Sequence, residues 1–370
     1  MVALHIHPDM ALKDIPATVT SVLASFFEER SASVAAIDPA FTMVVDSLKD
    51  FTLNGGKRVR PSFAWAGWLG AGGNMGTFAD AEDPEAVFRA VCALEFIQAC
   101  ALVHDDIIDD SDTRRGAPTI HRIYEDKHAE NSWRGSSAHY GRSVAILAGD
   151  VALAWADDMM HSAGLTHAAI DRVWEPWWRM RTEVLGGQLL DITAEASGDS
   201  RIEVAEKVNL YKTAAYTIAR PLHIGGAIAG ATTEILDAYR TFGQDIGIAF
   251  QLRDDQLGVF GDPKVTGKPA GDDLREGKRT VLVSTAITRL QESDPAGAQR
   301  LDDALGNVRT PAEISELTEL IRASGADELV EKEIERLTNQ GLAAIDVAPI
   351  VDTHKQRLIE MGKRATARAK

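Results

Sequence analysis

Apolar positions recur with a helical period along almost the whole chain. In 87–104 (VFRAVCALEFIQACALVH) they are too dense for a one-sided surface helix, so the pattern predicts a largely buried one. The stretch 144–160 (VAILAGDVALAWADDMM) reads the same way, as do 203–229 and 236–260. In the last two, Gly225, Gly226, Gly243 and Gly247 allow helices to approach closely. No run of β-branched residues alternates with polar ones between turn signals. The prediction is an all-α helix bundle. Breaks fall at 70–84, 111–141, 195–201, 261–279 and 293–297. None is long or biased enough to be a linker, so a single domain over 1–370 is expected. The polar stretch 120–141 (IHRIYEDKHAENSWRGSSAHYG) reads as a long surface excursion with the character of a mobile loop.

Composition narrows the classes. With 45% hydrophobic and 25% charged residues, 370 residues can bury a large core. Lys plus Arg total 39 against 55 Asp plus Glu, a net charge of -16, which argues against nucleic acid as a partner. Two cysteines, Cys92 and Cys100, cannot build a disulfide scaffold, as expected in a reducing cytoplasm. MVALHIHPDMALKD has no basic segment followed by an apolar run, so no signal peptide is expected. No stretch approaches the ~20 apolar residues of a membrane span.

The strongest chemical signal is 104–116, HDDIIDDSDTRRG. On a helix Asp105 and Asp109 share a face, and Asp106 lies about 100° round from Asp105. Like charges at that spacing destabilise a helix unless neutralised. A hard divalent cation resolves this, and Mg²⁺ with one or two carboxylates plus phosphate oxygens is the usual arrangement. A solvated acidic helix end is the competing reading. The second signal is FQLRDD at 250–255, where Gln251 and Asp254 face the same way. Alone it fits a capping or solvated role as well as a metal role.

Basic residues come in short clusters. GGKRVRP (55–61) puts Lys57, Arg58 and Arg60 at a loop that leads into a helix, where backbone N–H groups suit an anion. Arg114 and Arg115 follow the first acids, and Lys212 and Thr213 sit among apolar residues. Lys268, Lys278 and Arg279 lie in TGKPAGDDLREGKRT (266–280). Singly, each is an ordinary surface residue. Together, alternating acidic and basic clusters suit metal-bridged phosphates. GGK is not a P-loop, since GxxxxGK[ST] is absent.

Over roughly 40–350 the chain resembles the trans-isoprenyl diphosphate synthases, or polyprenyl synthetases. The resemblance rests on GGKRVRP, the DDxxD at 105–109 with RRG at 114–116, LAGD at 147–150, GGQLLD at 186–191, KTA at 212–214, FQLRDD and GKPAGDDLREGKRT, in this order. The last motif and the long 120–141 stretch look most like bacterial geranylgeranyl diphosphate synthases. The resemblance implies an antiparallel bundle around a deep central cavity, usually a cytoplasmic homodimer with no membrane span. It implies that Asp105, Asp109 and Asp254 hold Mg²⁺ on an allylic diphosphate, three ions per active site with substrate bound. Asp106 and Asp255 would be supporting ligands. Arg114, Lys212, Gln251 and Lys268 would contact that diphosphate, with Lys278 also in the substrate-binding set. Lys57, Arg60, Gln98 and Arg115 would hold isopentenyl diphosphate. Thr213 and Phe250 would lie near the reacting carbons. Asp105, Asp109, Arg114, Lys212, Asp254 and Lys268 would form the catalytic set.

Three positions depart from the family pattern. Gly258 stands where the second motif usually ends in Asp, Gln98 stands where His is frequent, and 120–141 exceeds the usual link. The implied reaction is ionisation of an allylic primer (dimethylallyl, geranyl or farnesyl diphosphate), head-to-tail attack by isopentenyl diphosphate, then proton loss to the departed diphosphate. Product length should follow pocket depth. Cys100 and Ala101, one turn below Asp105, are small; Phe96 and Ile97, about two turns down, and Trp155 on the neighbouring helix are the next candidate floors. That points to a twenty-carbon product, with fifteen-carbon or longer products as alternatives. A terpene cyclase lacks the FQLRDD form of the second motif. A non-catalytic partner subunit would normally have lost one acid-rich motif. The basic tail THKQRLIEMGKRATARAK reads as a solvated helix end, or less simply as a lid.

Overall fold

The structure, a computed structural model, describes residues 6–261, 271–308 and 310–367. The chain is 78% helical. Among the described residues the one sheet is a two-stranded hairpin, β1 (Thr113–Arg114) with β2 (Ala117–Pro118). The all-α expectation holds, with this small addition. Residue contacts fall into two compact units, Met1–Val173 with Ile228–Gly230, and Trp174–Ala227 with Ala231–Lys370.

The first unit contains α1 (Ile15–Ala35), α2 (Pro39–Leu53), α3 (Val59–Gly70), α4 (Pro84–Ile108), α5 (Ile120–Glu130), α6 (Ser137–His161) and the start of α7 (His167–Ser197). Helix starts are written locally. Asp38 and Asp83 accept hydrogen bonds from Ala40 N and Glu85 N, and Pro39 and Pro84 occupy the first helical turn. The dense 87–104 pattern becomes α4, whose Val87, Phe88, Val91, Leu94, Phe96 and Val103 are buried against α1, α3 and α6. Contrary to the sequence reading that no stretch approaches that length, this helix is long and apolar enough to cross a membrane, but 78% of its apolar window is buried within the protein.

Two expectations need correcting here. The 120–141 stretch is not a mobile loop. It forms α5 and the start of α6, with Ile120, Tyr124 and His128 buried at four-residue spacing and packed on α6. Nor is α6 buried all round. Ile146 and Leu147 are exposed apolar residues on it, Leu147 to 59%.

The second unit holds the rest of α7, then α8 (Ile202–Val208), a π-helical segment Asn209–Ala219, α9 (Arg220–Ile228) and α10 (Thr233–Phe260). It ends with α11 (Asp272–Glu276), α12 (Val281–Ser293), α13 (Pro295–Ala304), α14 (Pro311–Ala323), α15 (Ala326–Val347) and α16 (Asp352–Thr366). The π segment lies where helices come unusually close. A methyl on Gly187 of α7 would sit 2.3 Å from Lys212 N, and one on Gly247 of α10 would sit 2.6 Å from Ala214 Cα. The wide π turn, rare in folded proteins and frequent at functional sites, thus carries Lys212 and Thr213. The tail is not simply solvated: α16 buries Leu358, Gly362 and Thr366, and Gly362 packs on Phe242 of α10.

Candidate active site

The first acid cluster closes α4. Asp105 and Asp106 occupy its last turn and Asp109 caps its C-terminus, an end whose dipole disfavours negative charge. Arg114 offsets this. Its guanidinium lies 2.6 Å from Asp106 Oδ1 and 3.4 Å from Asp105 Oδ2. Asp106 is only 1% exposed, so burial pushes its pKa up to about 6 while Arg114 pulls it down. Its Oδ2 has no hydrogen-bond partner among the described residues. The remaining acids of the loop are tied back by α5: Arg122 bonds Asp112 Oδ1 at 2.8 Å and Glu125 Oε2 at 2.7 Å, and reaches Asp110 Oδ1 at 3.2 Å. The 120–130 helix thereby braces the turn that follows Asp109.

Arg114 ends β1, and Arg115 opens the hairpin turn that follows it. Arg115 (φ 54°) and Gly116 (φ 78°) both take positive φ between paired Arg114 and Ala117, the geometry of a tight primed turn. The turn aims Arg114 at the carboxylates and Arg115 at the GGKRVRP loop. Arg115 Nη1 donates to Asn54 O at 3.1 Å, and its guanidinium lies over Gly55 and Gly56, whose φ of 85° and 94° favour glycine. Burial, then the nearby Arg58, lowers the Arg115 pKa, with Arg114 and Arg60 adding to the effect. The structure also sorts this basic cluster. Arg58 turns inward to Glu95 Oε2 at 2.6 Å and to Thr52 O at 2.8 Å, whereas Lys57 is exposed and Arg60 half-buried. Gln98, two turns before Asp105 on α4, is half-buried.

Below the acids, Cys100 and Ala101 stay small. Burial pushes the Cys100 thiol up to about 12, so it acts as an apolar group. His104, between them and Asp105, bonds Ile146 O at 3.2 Å and fills the notch left by Gly149 of LAGD. Ile97 is buried, and Phe96 packs edge-on to Trp155 with ring centroids 6.2 Å apart. Sequence reasoning missed the other half of this cluster. Phe26 and Phe27 of α1 stand 5.1 and 5.4 Å from Phe96, and the Arg30 guanidinium lies 3.7 Å from the Phe26 ring centre. The signal was available: Val19, Val22, Leu23, Phe26 and Phe27 mark one apolar face of α1.

In the second unit, Lys212 Nζ lies 2.5 Å from Asp191 Oδ2, joining KTA to GGQLLD. Thr213 and Phe250 are half-buried, on the π segment and α10 respectively. Gln251 Nε2 donates to Asp255 Oδ1 at 2.7 Å, so its bonded neighbour is Asp255, one turn on, where sequence spacing had paired it with Asp254. Asp254 is exposed and Asp255 only 2% exposed. Burial raises the Asp255 pKa well above the usual range, and Asp273 reinforces it. Arg253 is a structural residue, paired through both nitrogens with Glu331 of α15 at 2.6 Å. Lys278 pairs with Glu276, and Arg279 with Asp302 at 2.5 Å. Lys268 lies outside the described residues. Among the described residues no three acidic, His or Cys groups cluster to hold an ion by themselves, but the hard carboxylate oxygens, including buried Asp106 Oδ2 and Asp255 Oδ2 without hydrogen-bond partners there, suit Mg²⁺ bridging to phosphate.

A helical protein carrying two acid clusters, with Arg114 and Arg115 of a basic hairpin beside the first, belongs to a recognisable class. The polyprenyl synthetase profile matches residues 42–323, and the chain belongs to that family. Its fold superposes on a geranylgeranyl pyrophosphate synthase from Corynebacterium glutamicum, crystallised with isoprenyl diphosphate and magnesium. The two are 50% identical with a TM-score of 0.93, over 97% of this chain and 100% of that one. A geranylfarnesyl diphosphate synthase of Aeropyrum pernix is 32% identical over 315 residues, 83% of this chain and 88% of its own length. A (2E,6E)-farnesyl diphosphate synthase of Mycobacterium bovis is 30% identical over 292 residues, 78% of this chain and 73% of its own length.

Proposed function

We propose that the protein is a Mg²⁺-dependent trans-prenyltransferase that adds isopentenyl diphosphate head-to-tail to allylic diphosphates and makes geranylgeranyl diphosphate. The observation that carries the reading is the hairpin at 113–118. One turn presents Arg114 to the carboxylates and Arg115 to a Gly-Gly basic loop. Two anion-handling surfaces of opposite design are thus set side by side, as a reaction joining two diphosphates requires.

Asp105 and Asp109 of the first motif, and Asp254 of the second, would hold Mg²⁺, three ions with substrate bound, with Asp106 and Asp255 as supporting ligands. Bound there, the ions neutralise diphosphate charge and act as Lewis acids toward the leaving group. Arg114, Lys212, Gln251, Lys268 and Lys278 bind the allylic diphosphate and offset the charge that develops as the C–O bond breaks. Arg115, Lys57, Arg60 and Gln98 hold isopentenyl diphosphate, keeping two anions close at a tolerable Coulomb cost. Thr213 and Phe250 border the reacting carbons. The apolar walls exclude water, which would otherwise capture the allylic cation. After condensation the new carbocation gives up a proton to the diphosphate released earlier from the allylic primer, and the double bond forms.

Phe96, packed with Phe27, Phe26 and Trp155, and buried Ile97 form the floor, and the small Cys100 and Ala101 lie above it. Phe96 lies nine residues before Asp105, about 13 Å along α4. A floor at that depth supports the twenty-carbon product over a fifteen-carbon one. Exposed Leu147 of α6 supports a homodimer, as do Leu185 and Leu189 of α7, since large exposed apolar residues mark interaction surfaces. The test is product analysis with labelled isopentenyl diphosphate and each primer: a C20 diphosphate is expected, and no product with any primer at millimolar Mg²⁺ favours a non-catalytic partner subunit.

A further inference from the structure

GGKRVRP carries three cations, and one of them faces inward. Arg58 is 3% exposed, and its partner Glu95 on α4 is 4% exposed. Arg58 takes a φ of 49°, a left-handed value uncommon for residues other than glycine. What its guanidinium reaches offsets that cost. Nη1 donates to Glu95 Oε2 at 2.6 Å. Nη2 donates to Thr52 O at 2.8 Å and Leu53 O at 3.1 Å, and lies 3.4 Å from Thr20 Oγ1 of α1. Thr52 and Leu53 end α2, where carbonyls have no partner within the helix and the dipole favours a cation. No basic residue of α2 itself stands in that last turn. Arg58 O in turn accepts from Ser62 N at 3.2 Å and Ser62 Oγ at 2.7 Å, in the first turn of α3. One residue therefore ties the end of α2, the start of α3 and the middle of α4 together at the loop 54–57.

Each residue assigned to isopentenyl diphosphate borders this tie. Lys57 precedes Arg58, Arg60 follows it by two, and Gln98 stands one turn beyond Glu95 on α4. Arg115, which donates to Asn54 O, feels both charges: Arg58 repels it and Glu95 attracts it. A buried internal counter-ion thus lets Arg58 frame the loop while relieving the repulsion among the cations around it. We propose that the Arg58–Glu95 pair is the anchor that fixes the loop 54–57 against α4 and thereby sets the affinity for isopentenyl diphosphate, an inference that rests on the assignment of Lys57, Arg60, Gln98 and Arg115 to that substrate. Arg58 is a positioning residue: it acts through its neighbours and not on the substrate. Arg114, paired with Asp106, lies outside the tie, so the allylic side should not respond.

The test separates positioning from stability. Removing one partner leaves a buried charge, whereas replacing both by apolar groups of similar size is often close to neutral. The double variant Arg58→Met with Glu95→Met should therefore melt within about a few degrees of the parent. Its KM for isopentenyl diphosphate should rise about 10-fold or more, because misplacing binding groups by about an ångström is costly. Its KM for farnesyl diphosphate should stay within about two-fold. Amide exchange of the peptide 50–60, read by mass spectrometry, should speed up about 10-fold. A stable double variant with parental KM for isopentenyl diphosphate, or one in which both KM values rise together, overturns the proposal. If the double variant does not fold, Arg58→Lys is measured instead, since an ammonium keeps the charge without the fork. A raised KM for isopentenyl diphosphate alone is then expected, and a parental value overturns the proposal. If the parent makes no prenyl product, the proposed function fails and exchange in the folded variant decides this anchor by itself: a parental rate over 50–60 overturns it.

Discussion

Charged side chains in this protein divide by what they touch. Arg58 and Arg253 spend their guanidinium groups on buried partners, Glu95 and Glu331, whereas Arg114 and Arg115 face opposite ways from one turn. Removing Asp105 removes a proposed ligand while Arg114 keeps its Asp106 partner, so Asp105→Ala should fold normally. It should lower the condensation rate about 100-fold or more at saturating Mg²⁺; a loss of only a few-fold contradicts the metal assignment. Asp245 offers a separate test by pH. Burial lifts its carboxyl from 3.8 to about 6, against the opposing pull of Arg336. A raised native pKa means that ionisation costs stability. That cost is absent below the unfolded-state value, grows as pH rises through about 6, and is full above it. Asp245→Asn should therefore raise the melting temperature above about pH 6 and lose this advantage toward about pH 4. Equal shifts at both ends would show that the carboxyl is not strained.

At the scale of elements, periodicity carried far. The density of apolar residues in 87–104 was enough for buried α4, and the two acid clusters fell at helix turns as their spacing implied. The failures share a cause: a signal diluted by polar neighbours or made by tertiary contact. Ile120, Tyr124 and His128 keep helical spacing, but Glu, Asp, Lys and Arg between them gave α5 the look of a loop. The π segment leaves no mark in local sequence, because it arises where Gly187 and Gly247 let α7 and α10 press on 211–214. Gln251 and Asp254 share a face, yet the hydrogen bond goes to Asp255, a choice that spacing alone does not decide. Gly187→Ala should push α7 off the π segment, costing about 1–3 kcal/mol by overpacking. It should also lower kcat, because Lys212 and Thr213 move; a melting temperature and rate equal to the parent's would contradict this close fit. On α4, Ala101→Phe should shorten the main product to fifteen carbons, as measured by chromatography of the dephosphorylated alcohols. Unchanged twenty-carbon product would place the floor elsewhere.

For the whole molecule, a net charge of -16 coexists with anionic substrates because local clusters, not the total, decide what approaches the site. Farnesyl, geranylgeranyl and geranylfarnesyl diphosphate synthases are all among its relatives, in keeping with the proposal that product length is set locally, by the few residues under Asp105. Exposed Leu147, at 59%, and Leu189, at 64%, lie on helices proposed to meet a second copy. Leu147→Glu should yield a lighter species by sedimentation, and a parent that is already monomeric contradicts the dimer. The most direct measurement is a single-turnover assay with farnesyl diphosphate and labelled isopentenyl diphosphate, run with Mg²⁺ and again after chelation. A C20 diphosphate that forms only with the metal is the expected result; no elongation of any allylic primer in the presence of Mg²⁺ contradicts the account.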